Sequence, residues 1–382
     1  MAITDKNTVL VLGAGVSAPF GLSLGGGLMT EISKQLNAEK QSLSSDETEM
    51  WGVLRPLKRA ATNASGFYKM PLHGAIASKH LSDQGALNDK GVEDDLRAID
   101  GLITLLNEQT SETIDDFIVE NSSCAELVKV CIAALFLKSC YRFGKTRGEV
   151  HPFSARQLSF GKGGESERNW IHLLINIIRQ GIHEKTVSSE NKIQIITFNY
   201  DKILEFVLDK QFSNTELLVG KDYRDYIDII HVHGECGDLK DVEPSPAKVS
   251  CDWAGGIHVV NEDVPEQIKK QRNKAREIIR TAKELYFCGF SFSGPNCRLL
   301  GLDMPSKEVR SRTMFACNYD GNVGVLRAVK KYEVSYGFIP PMAEMDEKYY
   351  AETTIDVVGG SVENPLSVSD WLKMGHLGEL PG

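Results

Sequence analysis

Short apolar runs that stop on small or polar residues recur along this chain. Residues 8–12 run into Gly13, Ala14, Gly15, Val16 and Ser17, and residues 193–196 run into Thr197, Phe198, Asn199, Tyr200 and Asp201. Residues 227–230 deliver His231 and His233, residues 285–288 deliver Gly289 and Ser291, and residues 313–317 deliver Asn318. Four or five apolar, often β-branched residues bounded by turn formers predict buried strands. Between them the period lengthens. Residues 202–208 follow Asp201, a suitable N-cap, and residues 265–282 place Ile268, Ala275, Ile278, Ile279 and Ala282 on or near one face, so both stretches predict helices. Strands alternating with helices predict an α/β fold with a doubly wound, mostly parallel sheet, whose ligand edge is the carboxyl end of its strands.

A long stretch departs from this alternation. The helical pattern of residues 28–36 dissolves into a polar run at 41–49, and from about residue 50 to 190 the spacings are mainly those of helices and loops. Leu96, Ile99, Leu102, Ile103 and Leu106 share one face; Ile114, Phe117 and Ile118 follow a capping pattern at Thr113; residues 125–138 read as a core helix; Trp170, Leu173, Leu174, Ile177 and Ile178 form a further face. Residues 160–164 read as a looser, glycine-containing stretch, and residues 371–374 as a short amphipathic one. Asp115, Asp116 and His172 read as capping or satisfied polar residues rather than catalytic ones. The division expected is therefore residues 1–45 as the first part of an α/β domain, 46–190 as a large helical insertion, 191–330 as the remainder of that domain, and 331–382 as a C-terminal segment that contacts a partner or another subunit. Residues 235–260, with Pro244, Pro246, Gly255 and Gly256, read as a loop over the site.

Composition narrows the function classes. Of 382 residues 42% are hydrophobic and 25% charged, the balance of a globular protein with a real core. The net charge of −9 disfavours direct nucleic-acid binding. The most apolar stretch is interrupted by Lys129 and Lys138, well short of a membrane span, and the first apolar run is cut by Gly13 with no basic segment before it. Eight cysteines form no C-x-x-C pair, so no zinc is expected, and reduced thiols point to a cytoplasmic protein.

The glycine loop after the first strand satisfies G-x-G-x-x-G/A with Ala18, a weak pattern alone. Its glycines allow close backbone approach, and successive N–H groups suit a pyrophosphate. The second strand and the acidic residue about 20 positions on that a nicotinamide dehydrogenase uses for the ribose are missing, which disfavours an oxidoreductase.

Taken in order, Gly13-Ala14-Gly15-Val16-Ser17, Thr197-Phe198-Asn199-Tyr200-Asp201, His233-Gly234, Gly289-Phe290-Ser291-Phe292 and Asn318 resemble the nucleotide-binding motifs of the sirtuin family. The Phe198-Asn199-Tyr200-Asp201 form is most similar to the bacterial sirtuin-like branch that cleaves NAD in antiphage defence. The paired C-x-x-C zinc module of deacylating sirtuins is missing, and residues 22–26 do not match their Pro-Asp-Phe-Arg-type stretch. Both departures favour water over acyl-lysine as acceptor.

The resemblance implies a Rossmann-like, sirtuin-type fold and an NAD glycohydrolase releasing nicotinamide and ADP-ribose, an NAD-depleting effector of abortive infection. Nicotinamide leaves as a neutral pyridine, so the chemistry needs positioning and a base rather than a strong acid. Asn199 would hold the ribose or the attacking water and His233 would bond a ribose hydroxyl or act as base, with His231 structural. Thr197 would be cofactor-binding, and Asp201 would orient the nicotinamide carboxamide or cap a helix; Gly13, Ala14, Gly15 and Ser17 would hold the phosphates; Gly289, Ser291 and Asn318 would lie towards the adenosine. Stand-alone chains of this branch pair with a HerA-like hexameric ATPase and assemble as homo-oligomeric rings. A sensor or assembly module that binds NAD or ADP-ribose without cleaving it is the alternative.

Overall fold

The computed structural model describes residues 8–20, 22, 25–45, 72–76, 89–111, 113–143, 150–152, 170–214, 218–238, 246–260, 262–302, 311–317 and 352–356. Strand β1 (Thr8–Leu12) is fully buried and lies between β4 (Ile193–Thr197) and β6 (Glu284–Cys288). Outside these stand β5 (Ile227–His231), beside β4, and β7 (Ser311–Cys317) and β8 (Glu352–Asp356), beyond β6. Every pairing in this sheet is parallel. A separate two-stranded antiparallel ribbon joins β2 (Tyr141–Phe143) to β3 (Val150–Pro152). Counting only the strands of the large sheet in chain order, they run 3-2-1-4-5-6 across it. The order reverses at the first strand, and such a reversal opens a crevice at the carboxyl edge.

Alternation along the strands feeds two cores. Leu10, Leu12, Ile193, Ile195, Tyr286 and Cys288 face one side; Val9, Val11, Ile196, Leu285 and Phe287 face the other. The first side is covered by α1 (Gly25–Ser45), α2 (Asp89–Glu108), α3 (Ile114–Glu120), α4 (Ala125–Cys140), α5 (Trp170–His183) and α6 (Ile203–Asn214), which pack into one continuous cluster. The helices between β1 and β4 thus share a core with the sheet. The second side is covered by α8 (Glu266–Thr281), through Ala275 and Ile279, and by α9 (Gly294–Leu300). No helix of the described residues is long and apolar enough to cross a membrane.

Two segments differ from the sequence expectation. Helix α1 continues to Ser45, five residues into the polar run, on a helix whose inward side holds Met29, Ile32 and Leu36. Within the supposed loop, Pro246–Ala254 forms helix α7, whose Trp253 ring meets Phe136 of α4 at 5.7 Å. Proline at the first position and glycines at 255 and 256 after the last suit the start and stop of a helix as well as a loop. The glycine-containing stretch at 160–164, the amphipathic stretch at 371–374 and Asn318 lie outside the described residues.

Candidate functional site

Strand register sets the site. Leu12 pairs with Thr197 on one side and Cys288 on the other, and Thr197 pairs with His231, so four strands end in one row. The polar motifs begin where that row ends. The loop after β1 and the loop after β6 then interlock: Gly13 N–H donates to the Cys288 carbonyl at 2.9 Å and Gly15 N–H to the Gly289 carbonyl at 3.0 Å. A Cβ on Gly13 would collide with the Gly289 carbonyl oxygen, and one on Gly289, at φ +60°, would sit 2.5 Å from the Val16 nitrogen. The glycines are needed for backbone to meet backbone, and the N–H groups of Gly13 and Gly15 are committed to protein carbonyls. Ala14 and Ser291 are exposed at this edge.

Ser17 is buried and links two strand ends. Asn199 Nδ2 donates to its Oγ at 2.8 Å, and the hydroxyl donates to Asp201 Oδ2 at 2.7 Å. The other Asp201 oxygen, Oδ1, accepts the Ile203 N–H at the start of α6, 3.2 Å away. Of the two duties foreseen for Asp201, nicotinamide recognition or helix capping, the Ile203 N–H contact is that of a cap. Burial pushes its carboxyl up to about 6, against the opposing hydrogen bonds from Ser17 and Ile203. Thr197 Oγ1 accepts the Asn199 N–H at 3.1 Å, fixing the backbone as it leaves the strand. Asn199 Oδ1 is buried and has no hydrogen-bond partner among the described residues. Ser17, Thr197, Asn199, Asp201 and His231 line one cavity of about 10 Å³, roughly the room of a single water.

The two histidines part company at the end of β5. His231 Nδ1 donates to the Asn199 carbonyl at 3.0 Å, and its Nε2 lies 2.5 Å from Glu205 Oε1. Burial disfavours the charged ring, but Glu205 outweighs it and the His231 pKa is raised; burial likewise opposes the Glu205 charge, and His231 outweighs it to lower that pKa. Glu205, His231 and Glu235 offer ligand atoms within 4.8 Å of one another, an arrangement the buried ion pair accounts for, with Lys202 on Glu235 at 3.2 Å.

His233 sits in the turn after β5, where Gly234 has φ +73°. Its ring packs on Phe198 at 5.1 Å and meets Tyr200 edge-on at 5.9 Å and 83°. Nδ1 donates to the His258 carbonyl at 2.9 Å, which leaves the Nε2 lone pair as the basic atom. Burial holds the His233 pKa below its ordinary value, partly opposed by the Asp115 charge, so the ring is neutral at pH 7. Tyr200 donates to Asp115 Oδ1 at 2.7 Å, and burial followed by the Asp115 charge raises the phenol's pKa.

No protein-family model matches this chain, and no curated protein matches it. The site is therefore read from its own geometry. The structure gathers Ser17, Thr197, Asn199 and Asp201 around one cavity, with His231 in its lining; His233 does not line it and packs against Phe198 and Tyr200, with Asn296 bonded to its ring. Gly13, Ala14, Gly15 and Gly289 form the interlocked edge, and Ser291 stands at its surface. Sequence reasoning passed over Asp115, which is more than a cap residue: Thr113 accepts the Asp116 N–H as the cap, while Asp115 turns to Tyr200. It also passed over Arg272, whose guanidinium donates to the carbonyls of Val232, Val259 and Val260 and fastens the His233 and His258 loops together. A signal for Arg272 existed: it occupies the buried stripe with Ile268, Ala275 and Ile279, where a charge needs a reason.

Proposed function

We propose that this chain is a Rossmann-like, sirtuin-type NAD glycohydrolase that releases nicotinamide and ADP-ribose. The observation that carries the reading is a buried asparagine, Asn199, whose Oδ1 lacks a partner among the described residues, beside the strand-order reversal of a 3-2-1-4-5-6 parallel sheet. A neutral His233, with Nδ1 on the His258 carbonyl and a further hydrogen bond from Asn296 to its ring, stands at the adjoining strand end. In the reaction the bond between nicotinamide nitrogen and ribose C1′ breaks with its electron pair leaving on nicotinamide, which neutralises the pyridinium. Water adds to the oxocarbenium carbon and gives up its proton. His233 Nε2 is the acceptor for that proton, and its depressed pKa keeps it in the accepting form. Asn199 aligns the water.

The cavity at Asn199 has the size of a water and not of a ribose. Substrate entry then requires displacement of a wall formed by Val16, Ser17, Phe20 and Trp170. This supports an effector that assembly or a partner opens. By resemblance that partner is a HerA-like ATPase, and the role is NAD depletion in antiphage defence. The second reading is a module that binds NAD or ADP-ribose without turnover.

Incubation with NAD, alone and with a candidate ATPase, followed by chromatography of the products, tests the first reading. It expects nicotinamide and ADP-ribose from the native chain and loss of both in folded Asn199→Ala. Intact NAD under both conditions overturns it, and calorimetric binding without nicotinamide release selects the second reading.

A further inference from the structure

Three side chains at the carboxyl edge, Asn199, Ser17 and Asp201, form a hydrogen-bond chain whose geometry is independent of the glycohydrolase reading, although its catalytic meaning rests on that reading. Ser17 Oγ receives a proton from Asn199 Nδ2 and gives its own to Asp201 Oδ2. A hydroxyl has one proton to give. While that proton is committed to an ionised carboxylate, Ser17 has only its lone pairs to offer Asn199, and the amide must turn its NH₂ towards it. Oδ1 is then directed the other way. Oδ1 is the atom with no partner among the described residues, on a side chain only 7% exposed that lines a cavity the size of one water.

We infer that Ser17 and Asp201 are positioning residues that set the orientation of the Asn199 amide, so that Oδ1 faces the cavity and takes a hydrogen-bond donor, the attacking water. Ser17 therefore serves the reacting end of the site rather than a phosphate.

The chain has a second polarity. A protonated Asp201 would donate to Ser17, Ser17 would donate to Asn199, and the amide would turn over, presenting NH₂ where Oδ1 had been. An NH₂ offers the water no acceptor. Asp201 titrates at about 6, within reach of solution conditions. The titratable groups facing it are Glu205 of α6, His231 of β5 and Cys236 beyond β5, with Lys202 next in the chain. Asp201→Asn holds the second polarity at every pH: the Ile203 N–H requires the new amide's oxygen, which leaves its NH₂ for Ser17.

The test reads the Asn199 side-chain NH₂ resonances in ¹⁵N-labelled full-length protein, identified by their loss in Asn199→Ala. The expected result is a shift between two positions with a midpoint near pH 6 in the native chain. Asp201→Asn should stay at the acid position throughout, Ser17→Ala should abolish the transition, and Ser17→Thr, which keeps the hydroxyl, should retain it. Resonances that do not titrate, or an Asp201→Asn signal at the neutral position, overturn the inference. A second arm measures NAD cleavage. Ser17→Ala and Asp201→Asn should lower kcat roughly tenfold or more with little change in KM, and Ser17→Thr should recover most of it. If NAD stays intact while the amide titrates as described, the relay stands and the hydrolase reading falls. If NAD is cleaved while the amide does not titrate, the relay falls and the hydrolase reading stands.

Discussion

Asp201 and Glu205 lie four residues apart and carry opposite consequences for stability. Asp201 has its pKa raised, to about 6, so between the ordinary carboxylate range and pH 6 the folded chain binds more protons than the unfolded one. Stability therefore falls as pH rises through that window. Asp201→Asn should remove this cost and stabilise the protein at pH 7 by on the order of 2 kcal/mol, a gain absent at pH 4, as chemical denaturation at the two pH values would measure. The same variant is expected to be catalytically poor, so stability and activity move in opposite directions. At Glu205 the pKa is lowered and at His231 it is raised. The Glu205 contribution is present above its unfolded pKa and lost as pH falls through the lowered one; the His231 contribution is present below its unfolded pKa and lost as pH rises through the raised one. Glu205→Ala should destabilise the fold near neutrality by about 1–3 kcal/mol through loss of the buried His231 partner, and, because burial then keeps the ring neutral, the alkaline decline of urea stability that His231 causes should disappear with it.

Among the elements, the interlock of two loops depends on glycines whose need comes from neighbours. Gly289 and Gly301 both have positive φ, +60° and +70°, but a Cβ at Gly301 meets nothing within 4 Å among the described residues, whereas at Gly289 it meets the Gly15 and Val16 backbone. Gly301→Ala should cost about 1 kcal/mol for its backbone conformation alone. Gly289→Ala should cost at least about 2 kcal/mol more, since the loops must separate, and thermal unfolding of the two variants isolates that difference. Strands β1, β4, β5 and β6 were legible because each is a short apolar run that leads into polar or turn-forming residues; the expected first strand coincides with β1, and the starts of β4 and β5 agree to the residue. Helix α7 was not legible, because Pro246 and Gly255 punctuate a helix and a loop alike and the apolar partner, Phe136, lies far earlier in the chain. At the edge, the sequence pointed to glycine at 13, 15 and 289 but not to the reason, which is a contact between β1 and β6 loops that are distant in the chain.

Over the whole molecule, His233 collects its environment from three directions. Asp115 arrives from α3 of the helical region, Arg272 from α8, and His258, with Glu262 behind it, from the segment after α7. None of these convergences is visible as a local pattern, which is why His233 was legible as a candidate while its neighbours were not. The helical region also reaches the glycine loop directly, where Trp170 Nε1 donates to the Val16 carbonyl at 2.8 Å. A shift of these helices would act on both the cavity wall and His233. The electrostatic half of that coupling has a definite sign. Asp115 raises the His233 pKa against the larger lowering by burial, with Arg272 adding to the lowering. Asp115→Asn removes the negative charge, so His233 should titrate at a lower pH than in the native chain. Histidine ring-proton shifts followed against pH, with His233 assigned by its loss in His233→Gln, measure this without reference to any substrate. Tyr200→Phe offers the complementary variant: it keeps the ring packed on His233 and the Asp115 charge but removes their hydrogen bond. A downward displacement in Asp115→Asn with a much smaller one in Tyr200→Phe would assign the effect to charge. Equal displacements would assign it to the Tyr200–Asp115 hydrogen bond, and an unmoved His233 titration in Asp115→Asn would sever the helical region from His233 electrostatically.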